Sequence, residues 1–301
     1  MYEVPFQSNA GKTTAKATRH EWQSDTLASP DTANARVEGA DASIQASTAT
    51  SRLSNITQIM DKTVQVSGTL EAVDKAGRSK ELAYQLVKRG RELKRDTEAI
   101  LLANQASSLG DATTASKLGG LPSWIKTNQS RAGDGAAGGY STSTALTIAA
   151  TDSTGSGRTF TETLLKGVMQ SCFQNGGDPT ILMVGPYNKG QFSNATNFPG
   201  IAQLRSNIAQ NNKSSMATVI GAADVYLGDF GTLQVVPNRF QRDRDAFLID
   251  PEYTKIARLR PLTQTELAKT GDSEKRQMIQ ELTLEIGNEA ALGVVADLKT
   301  S

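Results

Sequence analysis

The chain has 301 residues, with 32 Lys and Arg against 31 Asp and Glu and a formal net charge of +1, so it offers no broad electrostatic attraction to nucleic acid or anionic lipid. Its one cysteine, Cys172, and one histidine, His20, exclude an intrachain disulfide, a multi-cysteine metal site and a histidine dyad within one chain. No stretch reaches the roughly 18 apolar residues of a membrane-spanning helix, residues 1–23 hold no signal-like apolar run, and the length fits two lobes better than one core.

Residues 1–67 are dominated by Thr, Ser, Ala, Asn and Asp and are too poor in large apolar side chains to form a core. Strand-like stretches at Lys16–Trp22 and Lys62–Val66 flank Ser29-Pro30-Asp31 and Glu38-Gly39, which predicts a long two-stranded excursion. A lone hairpin is marginal in water, so this excursion is expected to pack on another subunit. Trp22 stands among polar residues with almost no large apolar neighbour in sequence to cover it, and reads as an interface anchor. His20 reads as a surface or contact residue.

From Gly68 to Asn104, Val73, Ala76, Ala83, Leu86, Val87, Leu93, Ile100 and Leu101 recur at helical spacing, while Glu71/Lys75, Asp74/Arg78, Lys88/Glu92 and Lys94/Glu98 stand four apart. One helix of about 55 Å is predicted, with its charges on a solvated face. Residues 105–158 read as Gly-, Ser- and Thr-rich loops anchored by Trp124, with a short hairpin near Ser141–Ala149. They hold neither a Gly-Lys-Ser/Thr phosphate loop nor a G-x-S-x-G turn, which leaves a hydrolase or transferase built on this region without a nucleophile, base or metal set.

Phe160, Leu164, Leu165, Val168, Met169 and Cys172 mark one side of a helix over Thr159–Asn175 that Gly176-Gly177 stops, which makes Cys172 a buried small side chain. Ile181–Val184 reads as a buried strand, and a helix follows Gly185-Pro186 through Ser193. Short strands around Val219, Asp224–Leu227, Thr232–Val236 and Ala246–Ile249 complete an α+β lobe. Met278, Gln280, Leu282, Leu284 and Ile286 alternate within one long strand predicted over Arg276–Val295. The mixed-sign cluster of Arg239, Arg242, Asp243, Arg244 and Asp245 is read as inter-subunit salt bridges. Glu281 and Glu285 share one strand face and are read as solvated.

The order of these elements resembles the Hong Kong 97-like capsid fold. Thr18 to Leu27, Phe247 to Tyr253 and Glu281 to Glu289 are similar to stretches of the phage head-protein family typified by podoviruses of the Kuravirus group. The resemblance implies an α+β fold with an N-terminal arm at 1–15, an extended loop at 16–67, a peripheral domain at 68–178 with a spine helix at 68–104, an apical domain at 179–275 and a peripheral return strand at 276–301. The arm is expected to be short, with no fused scaffolding region before the loop.

The implied function is that of a structural subunit, not an enzyme, assembling into the icosahedral or prolate head that encloses the double-stranded DNA of a tailed phage. Its partners would be copies of itself in hexamers and pentamers, together with portal, scaffolding or decoration proteins, and packaged DNA held by non-specific contact. No membrane, cofactor, metal or catalytic residue is implied, and the expected location is the virion, after assembly in the host cytoplasm. The candidates for inter-subunit contact are Arg19, His20, Trp22, Arg239, Arg242 and Arg244, while Arg258 and Arg260 are expected at the inner surface or a capsomer contact. An encapsulin-like compartment shell is the alternative.

Overall fold

The computed structural model describes residues 4–42, 44, 49–73, 77, 80–194, 196–199 and 224–301. In chain order they form α1 (Pro5–Asn9), β1 (Gly11–Thr14), β2 (Arg19–Ser24), β3 (Ser51–Ile56), β4 (Gln58–Ser67), α2 (Gly68–Ala72), α3 (Glu81–Leu101), β5 (Gln129–Ser130), β6 (Gly139–Ser141), β7 (Leu146–Ile148), α4 (Glu162–Gln174), β8 (Ile181–Val184), α5 (Pro186–Phe192), β9 (Val225–Gly228), β10 (Gly231–Pro237), β11 (Ala246–Ile249), β12 (Thr254–Glu266), β13 (Ser273–Ile286) and β14 (Gly293–Val295). The strand expected around Val219 lies outside the described residues.

A four-stranded sheet has the order β1-β12-β13-β4. Alternation along β4 turns Met60, Val64 and Val66 inward, where Met60 packs with Leu93 of α3, and Val64 and Val66 with Leu82 and Leu86. Strand β13 lies between β12 and β4, and its predicted period of two holds. Met278, Leu282, Leu284 and Ile286 are buried, and Gln280 on the same face donates to Thr97 Oγ1 of α3 at 2.6 Å.

The second sheet, six-stranded, has the order β5-β14-β11-β8-β10-β9. Its central strand β8 pairs with β10 in parallel and with β11 antiparallel, so the run Ile181–Val184 is buried on both faces and needs no polar alternation. Leu165, Val168, Met169 and Cys172 of α4 pack with Leu182, Val184 and Val295. Gly293 permits that approach, because a Cβ there would lie 2.5 Å from Val168 Cγ1 and 3.0 Å from Cys172 Sγ. Gly176, at φ +79°, turns the chain out of α4 as the sequence predicts.

Four expectations change. The helix over 68–104 is two helices: α2 ends at Val73, which is extended at ψ 138°, and Glu71 Oε2 instead accepts from the Glu81 and Leu82 amides at 3.1 and 3.2 Å, capping the N-terminus of α3. The excursion pairs β2 with β3, from Arg19↔Ile56 to Ser24↔Ser51, while the expected mate at 62–66 belongs to β4 and pairs with β13. Over Arg276–Val295 there are two strands in different sheets, broken where the Gly287 amide donates to Tyr253 O at 2.8 Å and Asn288 Oδ1 accepts from the Ala290 amide at 3.0 Å. Finally, the 13-residue β12 escaped the sequence reading, because from Arg260 to Glu266 its side chains are exposed and Pro261 interrupts the pattern.

Candidate assembly surface and its anchors

The base of the excursion is held on β13 by polar groups from both of its strands. Trp22 Nε1 donates to Ile286 O at 2.9 Å, and its ring lies 5.4 Å from Trp124, which stacks on Tyr140 at 5.5 Å. Asn55, fully buried, donates to Leu284 O at 2.7 Å and Gly119 O at 3.2 Å and accepts from the Gly119 amide at 2.8 Å. Thr57 Oγ1 donates to Glu281 Oε1 at 2.7 Å, and Arg260 Nε to Glu281 Oε2 at 2.8 Å. His20 Nε2 stands 2.7 Å from Glu285 Oε2, and that hydrogen bond holds the Glu285 carboxyl below its ordinary range against the opposing effect of burial.

Within the subunit Trp22 is covered by residues far away in sequence, and His20 pairs with Glu285. One reading is corrected here. Glu281 is buried and Glu285 partly so, because the excursion's base lies over the sheet face that was taken as solvated.

Beyond the Ser24↔Ser51 pair the excursion leaves this support. Leu27, Val37 and Ile44 are 100%, 80% and 99% exposed. With no core beneath it, the segment between Leu27 and Arg52 is expected to be cut first in limited proteolysis of the unassembled subunit. First cuts inside Leu82–Leu101 would contradict the packing of α3.

The N-terminal residues and the second lobe meet at Glu98 of α3, which is fully buried. Its carboxylate accepts from the Phe6 amide at 2.7 Å, the Gln7 amide at 3.1 Å, Gln7 Nε2 at 3.0 Å and Asn238 Nδ2 at 2.8 Å. Burial pushes its pKa up, and these donors oppose the shift.

The cluster read as inter-subunit salt bridges pairs mostly within the chain. Arg242 pairs with Asp152 and, at 3.0 Å, with Asp245. Arg244 Nη2 donates to Ser153 O at 2.8 Å and stands 3.4 Å from Asp297 Oδ1. Asp297, buried at φ +57°, accepts from the Ser153 and Ala132 amides at 2.8 and 3.1 Å. Arg239 is exposed and Arg19 half-buried, so these two candidates retain surface for a neighbour.

Burial pushes the Asp245 carboxyl from 3.8 up to about 6, with Arg242 pulling the other way. The folded state therefore holds this proton more tightly than the unfolded chain. The contribution to stability is largest below the unfolded value and is lost as pH rises from about 4 to about 6. Asp245→Asn is expected to flatten the fall in melting temperature across that window, and an unaltered slope would assign it to other groups.

Among the described residues no helix is long and apolar enough to cross a membrane, and no group of three or more His, Cys, Asp or Glu could hold a metal ion. Sequence reasoning missed Asn55 and Thr57 and placed Glu98 on a solvated helix face, and nothing in the local pattern marks them, since each is buried by a partner far along the chain.

Among solved structures the chain is similar to the capsid of Cyanophage A-1(L), with a TM-score of 0.62 at 11% identity over 100% of this chain and 94% of that one. It is also similar to the holo-SrpI encapsulin complex of Synechococcus elongatus PCC 7942, with a TM-score of 0.55 at 8% identity over 97% and 86%. The long helix on a four-stranded sheet, the second α/β lobe and the projecting hairpin thus give this chain the Hong Kong 97-like α+β fold. The major capsid protein of Escherichia phage Phieco32 is 31% identical over 324 residues, spanning 97% of this chain and 89% of that protein. The profile of the SU10 major capsid protein family matches residues 1–299, and the chain belongs to that family. Its role is that of a phage major capsid protein, a structural component of the virion that assembles with copies of itself.

Proposed function

We propose that the subunit forms hexamers and pentamers that close into the head around the double-stranded DNA of a tailed phage. The observation that carries this reading is the excursion: a base fixed by buried hydrogen bonds presents Leu27, Val37 and Ile44 to solvent, apolar surface that assembly would cover. In this reading residues 68–178, with α3 in the spine helix, and the return strand at 276–301 form the peripheral domain, residues 179–275 the apical domain, residues 16–67 the extended loop and residues 1–15 the arm. Arg19, His20, Trp22, Arg239, Arg242 and Arg244 are the candidates for contact between subunits, with Arg19 and Arg239 keeping the most surface for it. Portal, scaffolding or decoration proteins are further partners, packaged DNA is touched non-specifically, assembly takes place in the host cytoplasm, and the subunit performs no catalysis and takes no cofactor.

Negative-stain microscopy of the expressed chain, alone and with its neighbouring genes, tests the proposal. Capsomers or closed shells are expected. A strictly monomeric protein under every condition would refute it, and particles protecting protein cargo instead of nuclease-resistant DNA would favour the encapsulin-like alternative, whose fold the chain shares.

A further inference from the structure

Helix α3 packs over β4 and β13 through Leu93, Met60 and Met278, and β12 and β1 extend beyond it as a shelf on the same side of the sheet. Residues opposite each other across a ladder share a face. Lys12 lies beside Ile256 and Thr14 beside Arg258, while Ile256 and Arg258 in turn lie beside Leu284 and Leu282 of the core under α3. Lys12 and Arg258 therefore emerge on the α3 side, and Lys16 continues the alternation of β1 past Thr14. On the helix Lys88 and Lys94 are exposed, and Lys94 flanks Leu262 and Gln264 of β12. Arg260 points the other way, to Glu281 on the face beneath the excursion's base.

None of these five exposed cations has an ion-pair partner among the described residues. The carboxylates of the same elements are engaged elsewhere: Glu81 and Glu98 are buried, Glu92 pairs with Arg89, Asp96 with Lys62 and Glu266 with Arg276. Glu21, which shares a hollow with Lys16, pairs with Arg52. The net charge of +1 thus hides a basic face. Its charges are spread, with Lys88 and Lys94 about 9 Å apart along the helix axis and Lys12 and Lys16 about 13 Å apart along the chain. A single small anion cannot span them. A duplex, with one phosphate charge per roughly 1.7 Å of its axis, can, and lysines meet phosphates as flexible point charges that carry no base readout.

We propose that this face, the outer side of α3 with the shelf of β1 and β12, binds the phosphate backbone of double-stranded DNA without reading its sequence. The inference rests on the shell reading and gives its packaged DNA a place of contact.

The test is neutralisation in the full chain, read as binding of a short duplex of mixed sequence across a salt series. Five phosphate contacts correspond to a slope of log affinity on log salt of about −4 to −5. Lys12→Gln, Lys16→Gln, Lys88→Gln, Lys94→Gln and Arg258→Gln together are expected to remove most of that slope and to weaken binding about a hundredfold at low salt. The melting transition is expected to stay unchanged, since all five side chains are exposed. The helix pair and the shelf trio, neutralised separately, are each expected to lose a proportionate part, so a folding fault in one variant leaves the other to decide. A matched control, Arg36→Gln with Lys117→Gln, Lys166→Gln, Lys269→Gln and Lys299→Gln, removes as many exposed cations from other surfaces and is expected to keep the wild-type slope. The contact is overturned if the wild-type chain binds without salt dependence, if the fivefold variant binds as tightly as the wild type, or if the control loses as much. It is also overturned if the variant keeps its DNA affinity and no longer assembles, which would assign the face to another copy. Duplex binding is read on the unassembled subunit and is thereby separate from the shell reading, which fails if the chain forms no particles.

Discussion

Trp22→Ala is expected to destabilise the isolated subunit by about 3 kcal/mol, in the range for removing a large aromatic side chain from a packed site, and to loosen the excursion at its root. The indole reaches Ile286 O through Nε1 and packs beside Trp124, itself stacked on Tyr140. Truncation therefore opens a cavity over a buried ring and leaves a carbonyl without its donor. Thermal melting of the subunit reads the first effect. Limited proteolysis reads the second, as new cuts spreading from the loop into Arg19–Ser24. A mutant with a normal melting transition and lost assembly would restore the interface role that the sequence suggested.

Glu98→Ala should be at least as damaging, with a loss of about 3 kcal/mol or more, because removing a buried charged acceptor strands the groups bonded to it. Four N–H donors from two segments converge on this carboxylate: two amides and a side chain from α1, and Asn238 at the end of β10. Glu98→Gln keeps the volume but turns an amide NH2 toward other donors, so it is expected to rescue little. Hydrogen exchange at Phe6 and Gln7 separates local release of the arm from global unfolding, with both amides losing protection first. Full protection in both variants would show that the arm is held by the burial of Phe6 alone.

What the sequence disclosed follows from the range over which each signal acts. Helix α4, strand β8 and the alternation of β13 are legible because their burial patterns repeat within a few residues. The anchor role of Trp124 is legible because it is the largest side chain in a glycine-rich stretch. The polar joints are not, since Trp22 meets Ile286 across 264 positions and Asn55 meets Leu284 across 229. The same distance explains the misreading of Glu281 and Glu285, which are exposed on a strand considered alone and become covered once the excursion's base lies over them. The break between α2 and α3 is a local event, but it turns on Glu71 capping the next helix, a role that its four-residue spacing to Lys75 does not disclose.

The split course of residues 273–295 has a consequence for the timing of synthesis. Strand β13 sits between β12 and β4, and β14 sits between β5 and β11, so each completes a sheet whose other strands leave the ribosome earlier. Until this stretch emerges, β4 has no mate, the excursion's base lacks Glu281, Glu285 and Ile286, and neither lobe can close. Pairings this distant in sequence form slowly. A nascent chain therefore carries its excursion without the fixed base that orients it, and competence to build a shell arrives only when the late strands fall into place.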